Sequence, residues 1–251
     1  MNHNSLPYCI RTQPRAFLLA LVVTGLAGSP RPAAAQMDTK MGEIAHPFFT
    51  HEGLPDAVGS YSLRTAGLAT RIDGETKGDF AFHLETGLTE NIGLHIRSDQ
   101  FLQARRSEVM FQFVAFKSKD GESGFAPIIE FEVPTRSGGG KPATLVGFTS
   151  KLANSRLAFN QALHYNPSEK SVDASAAVVL RATERVYPVV ELLGMGGRGM
   201  PTVMNLLAGV KYRLPGGTFV GVAYQRPVTD AHKLSSQIVV QLDFMFGTSA
   251  H

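Results

Sequence analysis

The stretch Asp79–Arg97, DFAFHLETGLTENIGLHIR, decides the fold class. Phe80, Phe82 and Leu84 alternate with Asp79, Ala81, His83 and Glu85. Beyond the polar turn Thr89-Glu90-Asn91, Ile92, Leu94 and Ile96 alternate with Gly93, His95 and Arg97. A period of two puts the apolar residues of each run on one face of a strand, whereas a helix would scatter them. Two half-apolar strands joined by a short polar turn predict a β-hairpin.

Working outward, the same unit recurs. Val109, Phe111, Phe113 and Ala115 share one face of 108–117, and Lys-Asp-Gly-Glu-Ser-Gly at 119–124 reads as a turn. Phe125, Pro127, Ile129, Phe131 and Val133 alternate with Glu130 and Glu132, ahead of a Gly-rich tip at 138–140. Further strands are expected over 143–152, 156–166, 172–182, 185–194, 202–213, 218–225 and 235–246. With 60–72 as a first, poorly alternating strand, about twelve result. Gly194-Met195-Gly196-Gly197 lies between strands and opens no helix, so it reads as a loop tip rather than a phosphate loop. Connections near 89–91, 118–124, 153–155, 183–184 and 214–217 are expected to be tight. Those near 73–78, 98–107, 134–142, 167–171, 195–201 and 226–234 are expected to be longer. That rhythm, an even strand number and segments of 8–12 residues predict an all-β, antiparallel, up-and-down transmembrane β-barrel spanning 60–246.

Composition agrees. Charged residues make up 18% of the 251 residues and hydrophobic ones 43%. This is poor in charge for a soluble domain, yet no apolar run after residue 30 is long enough for a membrane helix. A soluble, apolar β protein of the periplasm is the alternative fold. Arg11 and Arg15, the apolar run Ala16–Gly28 and the small residues before Gln36 have the layout of a cleaved secretory signal over 1–35. That segment holds three of the 24 basic residues and no acid, leaving 21 of each sign, so the net charge of +3 implies no nucleic-acid partner. The single cysteine, Cys9, precedes the apolar run, and neither a disulfide framework nor thiol chemistry is available downstream. Residues 36–59 lack alternation and are expected to form an irregular periplasmic or plug segment; 247–251 form a tail.

If the apolar face meets lipid, the other face lines the lumen. The lumen-lining candidates are Asp79, His83, Glu85, His95, Arg97, Gln112, Glu130, Glu132, Lys151, Asn160, His164, Arg181, Glu191, Lys211, Arg213, Gln241 and Asp243. Both signs occur in near balance, which suits salt-bridged packing better than a strongly ion-selective pore. His46 and His51, near Glu52 and Asp56, have no metal-site spacing, so no metal is expected. No catalytic residue is assigned. In barrel lipid hydrolases a Ser follows the His by two residues on one strand face; here the residues two after His83, His95, His164 and His232 are Glu85, Arg97, Asn166 and Leu234. His164 and Ser175 on neighbouring strands are the one remaining pairing. No cofactor is expected.

Phe111–Lys117 (FQFVAFK), Glu130–Thr135 (EFEVPT), Ala223–Thr229 (AYQRPVT) and Gln241–Phe246 (QLDFMF) give the chain a resemblance over roughly 60–246. It resembles the small outer-membrane barrels assigned to transport in the MetA pathway of phenol degradation. The resemblance implies a channel or transporter for small, hydrophobic or aromatic solutes in the outer membrane of a Gram-negative bacterium. It also implies contact with outer-membrane lipids, and with the barrel-assembly machinery through the last strand and Phe246. The alternatives are a closed structural or binding barrel and, third, an outer-membrane lipid hydrolase.

Overall fold

The computed structural model describes residues 44–102, 106–135, 140–230 and 234–247. The proposed signal segment 1–35 and residues 248–251 lie outside these. Among the described residues, thirteen strand segments follow one another: β1 (Ser60–Ile72), β2 (Glu75–Thr89), β3 (Ile92–Ser98), β4 (Arg106–Phe113), β5 (Phe116–Lys117), β6 (Gly124–Pro134), β7 (Ala143–Ala153), β8 (Leu157–Asn166), β9 (Ser171–Leu180), β10 (Val186–Gly197), β11 (Met200–Arg213), β12 (Phe219–Pro227) and β13 (Leu234–Gly247). Each pairs antiparallel with its neighbours. β4 and β5 are two pieces of one strand, interrupted at Val114-Ala115, and both pair with β6. β13 returns to β1 in a ladder running from Ser60 opposite Gly247 to Ile72 opposite Leu234. The result is a closed, antiparallel barrel of twelve strands. Closure leaves no sheet edge, so the wall satisfies its backbone polar groups internally.

Two expected loops prove to be strand. β2 begins at Glu75 rather than Asp79, because Asp73 (φ 50°) and Gly74 (φ 84°) form a two-residue turn that lets Ile72 pair with Glu75. This left-handed pair is the turn that matches the twist of a hairpin. The expected tip Gly194–Gly197 belongs to β10 and pairs with β9 and β11; the chain reverses only at Arg198 and Gly199 (φ 77°). The short-long rhythm is therefore weaker than anticipated. Two hairpins on the nominally long side are tight, while 118–123 and 181–185 on the other side are wider than a tight turn.

Alternation sets the two faces. Val210, Val222 and Val240 stand side by side on adjacent strands and point outward, 39–50% exposed. Their neighbours Gly209, Lys211, Gly221, Ala223, Val239 and Gln241 face inward. The interior is not uniformly polar. Leu207, Val189, Val179, Phe219, Ala223 and Val239 are buried there, forming one apolar core with Ala45, Phe48 and Phe49 of the segment before β1. The polar interior residues gather mainly on β1–β8.

With the valine row at hydrocarbon depth, Val222→Arg is expected to destabilise the barrel by about 2–4 kcal/mol. Urea-dependent folding into lipid vesicles measures this, and Val222→Leu should stay near wild type.

Candidate functional site

The lumen is filled from within by residues 44–57. None of them lies in a strand, and Val58, just beyond the segment, makes an isolated β-bridge to Gly87; Ala45–Leu54 are buried. A segment without secondary structure must find partners for its N–H and C=O groups elsewhere, and here side chains of the wall supply them. Glu191 of β10 is wholly buried. Its carboxylate accepts from the backbone N–H groups of Phe48, Phe49 and Thr50 and from the Thr50 hydroxyl, the last two at 2.8 and 2.9 Å. Successive N–H groups converging on one carboxylate form an anion nest.

The carbonyls are met in the same way. Arg64 and Lys211 each donate to the Pro47 carbonyl at 3.0 Å. Gln241 donates to that of Phe48 at 3.0 Å, Arg97 to that of Phe49 at 3.2 Å, and Gln112 to that of Glu52 at 2.8 Å. Gly53 is held at both ends, its N–H donating to Asn160 Oδ1 and its carbonyl accepting from Thr149. Lys151 pairs with Glu52 at 2.5 Å. Arg64 in turn pairs with Glu85, and Lys211 with Asp243 at 2.6 Å.

Inward glycines shape the bore around this segment. A Cβ on Gly221 would lie 2.9 Å from the Phe48 ring, and one on Gly209 would lie 2.8 Å from it. A Cβ on Gly93 would meet Pro55 at 2.6 Å, and one on Gly124 would meet Leu54 at 2.8 Å. Lys211 Nζ caps the Phe48 ring at 4.7 Å, a cation–π contact.

Beside the plug, towards the end where β3 ends and β4 begins, a cavity of about 220 Å³ remains. Phe49 and His51 contribute to its lining from the plug. Asp99, Glu108, Glu130, Glu132 and Asp173 bring five carboxylates, against Arg97 and His164. Arg97 pairs with Glu108 and, at 3.4 Å, with Asp99. Arg106 pairs with Glu132 at 2.7 Å, and His164 with Glu130 at 2.7 Å.

The remaining candidates read from the sequence have distinct places. Asp79 accepts from the Leu102 N–H at 2.8 Å and fixes the start of the connection after β3. His83 contacts Asp99 at 2.5 Å, and His95 contacts Gln112 at 2.7 Å. Arg213 lies 5.8 Å from the Phe219 ring. Arg181 sits just past β9, half-buried, with Nε and Nη2 unpartnered. The structure thus joins most of the candidates to one another through the plug. The sequence reading missed Arg64, Asp99 and Glu108; it allowed a plug within 36–59 without saying which of its residues lie inside. Arg64 sits in the poorly alternating β1, and nothing local marks Phe48 or His51 as interior. The His164–Ser175 pairing is not made: the register sets His164 opposite Asp173 and Ser175 opposite Ala162.

Two plug histidines are shifted in opposite directions. Burial and then the positive charge of Arg97 push His51 well below its ordinary value, so it is neutral. For His46 burial acts to lower the value, but Glu52, Glu85 and Asp56 together raise it to about 9.

No family model matches this chain, and no curated protein does. Among solved structures it is similar to the KdgM porin (TM-score 0.56, 9% identity), covering 74% of this chain and 99% of that one. It is likewise similar to an outer membrane channel from Pseudomonas putida F1 (TM-score 0.57, 8% identity, 80% and 100% covered). The NanC porin gives a TM-score of 0.52 at 8% identity, with 75% and 99% covered. The chain has the fold of outer-membrane porins and channels.

Glu191→Ala leaves three backbone donors and a hydroxyl buried without their acceptor, at a cost of about 2–5 kcal/mol in plug docking. Limited proteolysis of the folded barrel should then cut within 44–57, where wild type is protected, and Gly221→Val should do the same by evicting Phe48. A protonated His46 favours the docked state. Its contribution is complete below its ordinary value of 6.5 and is lost as pH rises through about 9. Protease protection of wild type should therefore fall between pH 7 and 10, and His46→Gln should flatten that dependence.

Proposed function

We propose that this protein is an outer-membrane channel whose lumen is closed by its own N-terminal segment, and which conducts a small polar solute when that segment moves aside. The observation that carries the reading is the fit of residues 44–57 to the bore. Dedicated wall side chains and inward glycines hold the plug, but no strand of the barrel includes it. Removing it would leave the closed wall ladder intact.

The outer surface supports membrane insertion. Apolar side chains cover it between two sets of exposed aromatics: Tyr61, Tyr212 and Phe246 towards the end where β1 begins, and Phe131, Tyr165 and Tyr224 towards the other. Aromatic girdles flanking an apolar band are the surface of a barrel that spans an outer membrane, and they serve here without tryptophan.

The five carboxylates of the cavity favour a solute that carries positive charge or several hydrogen-bond donors. A second reading is the hydrophobic or aromatic solute implied by the family resemblance. Phe49, Leu145 and Leu193 in the cavity lining favour it.

Planar-bilayer recording tests the proposal. Wild type should be nearly silent at neutral pH, whereas Glu191→Ala and Gly221→Val should give stepwise, cation-preferring currents. Silence in both variants, with folding and plug release verified, would reject the channel in favour of a permanently closed barrel.

A further inference from the structure

Among the described plug residues, His51 is the one side chain with both ring nitrogens unsatisfied. It is 2% exposed, and neither Nδ1 nor Nε2 has a hydrogen-bond partner. A neutral imidazole carries one donor and one acceptor, and leaving both unmade inside a protein is unfavourable. Its ring centroid lies 4.9 Å from that of His164. One ring nitrogen of His51, one of His164 and a carboxylate oxygen of Glu130 all fall within 4.8 Å of one another. The three residues come from separate elements: the plug, β8 and β6.

We propose that His51, Glu130 and His164 form a binding site for one divalent transition-metal ion of the Zn²⁺ class, which fastens the plug to the wall. Two imidazoles and a carboxylate are a donor set zinc takes with a fourth position left open. That position faces the cavity, where water has access, and where Asp173 presents a carboxylate oxygen, Oδ1, that also lacks a hydrogen-bond partner. Tetrahedral ligands at zinc bond lengths stand about 3.4 Å apart, so small side-chain rotations would bring His51 in and part His164 from Glu130, now paired at 2.7 Å, with release of any proton they share. The neighbouring carboxylates Glu108 and Glu132 do not make a second site with Glu130, because Arg97 and Arg106 engage them. They do lower the cost of bringing a dication into the lumen. The inference requires the plug to be seated but not that the barrel conducts, so a failure of one leaves the other standing.

The test uses untagged full-length protein, folded in detergent and stripped of metal with a chelator. Titration with Co²⁺ should give one equivalent of ligand-field absorption, displaced by Zn²⁺. His51→Gln and His164→Gln should each weaken Co²⁺ binding at least about tenfold, and Glu130→Gln should weaken it as well. If His51→Gln releases the plug, the two wall variants decide the matter, with heat-modifiable gel mobility confirming that their barrels are folded. Zn²⁺ should also increase protease protection of 44–57 in wild type and not in His164→Gln. Absence of a stoichiometric Co²⁺ band in wild type, its survival at unchanged affinity in the wall variants, or binding without added protection would each overturn the proposal.

Discussion

The interior of this barrel is governed by a single constraint: a buried chain segment with no secondary structure of its own must have its backbone polar groups satisfied. An unpaired peptide group away from water costs a few kcal/mol. The wall answers with Glu191 for the N–H groups of 48–50, Asn160 for that of Gly53, and Arg64, Lys211, Gln241, Arg97, Gln112 and Thr149 for the carbonyls between Pro47 and Gly53. Most of the charged interior follows from this. Arg64 and Lys211 are needed for a carbonyl, and once buried they require Glu85 and Asp243 as counter-charges.

Shape follows from the same requirement. A lumen lined throughout by large side chains has no room for a polypeptide, so glycine and alanine recur on the inward face where the segment passes. Gly209 and Gly221 form the seat of the Phe48 ring, and Ala223 and Ala66 join the apolar core beside it. The polar side of the bore fixes the plug's backbone and the apolar side buries its two phenylalanines. The segment is thereby oriented as well as held.

The wall was legible in the sequence because its physics is local. Strict alternation over Asp79–Arg97 and over 125–133 announces a two-faced strand before any partner is known. Errors fell where glycine carries two meanings. Gly194–Gly197 has loop composition, yet it continues a ladder whose turn lies beyond it at Gly199. The interior was legible only by face. Parity marks Glu130, His164 and Glu191 as inward, but not what they meet there, because their partners are separated from them by 79–143 residues or set by strand register. The plug itself has no periodicity to read. Its placement depends on side chains spread over much of the barrel.

The ladder between β1 and β13 bears on how such a molecule is assembled. It joins Ser60 to Gly247, residues almost the full length of the wall apart, and pairings of that kind form slowly because a long loop must close first. The plug is tethered directly to β1. Until β13 arrives, the sheet is an open trough into which residues 44–57 can be laid sideways; once the ladder zips, they could enter only end-on through a bore they fill. The geometry thus favours wrapping over threading: the wall closes through its own ladder, and that closure encloses a strap that contributes no strand to the barrel.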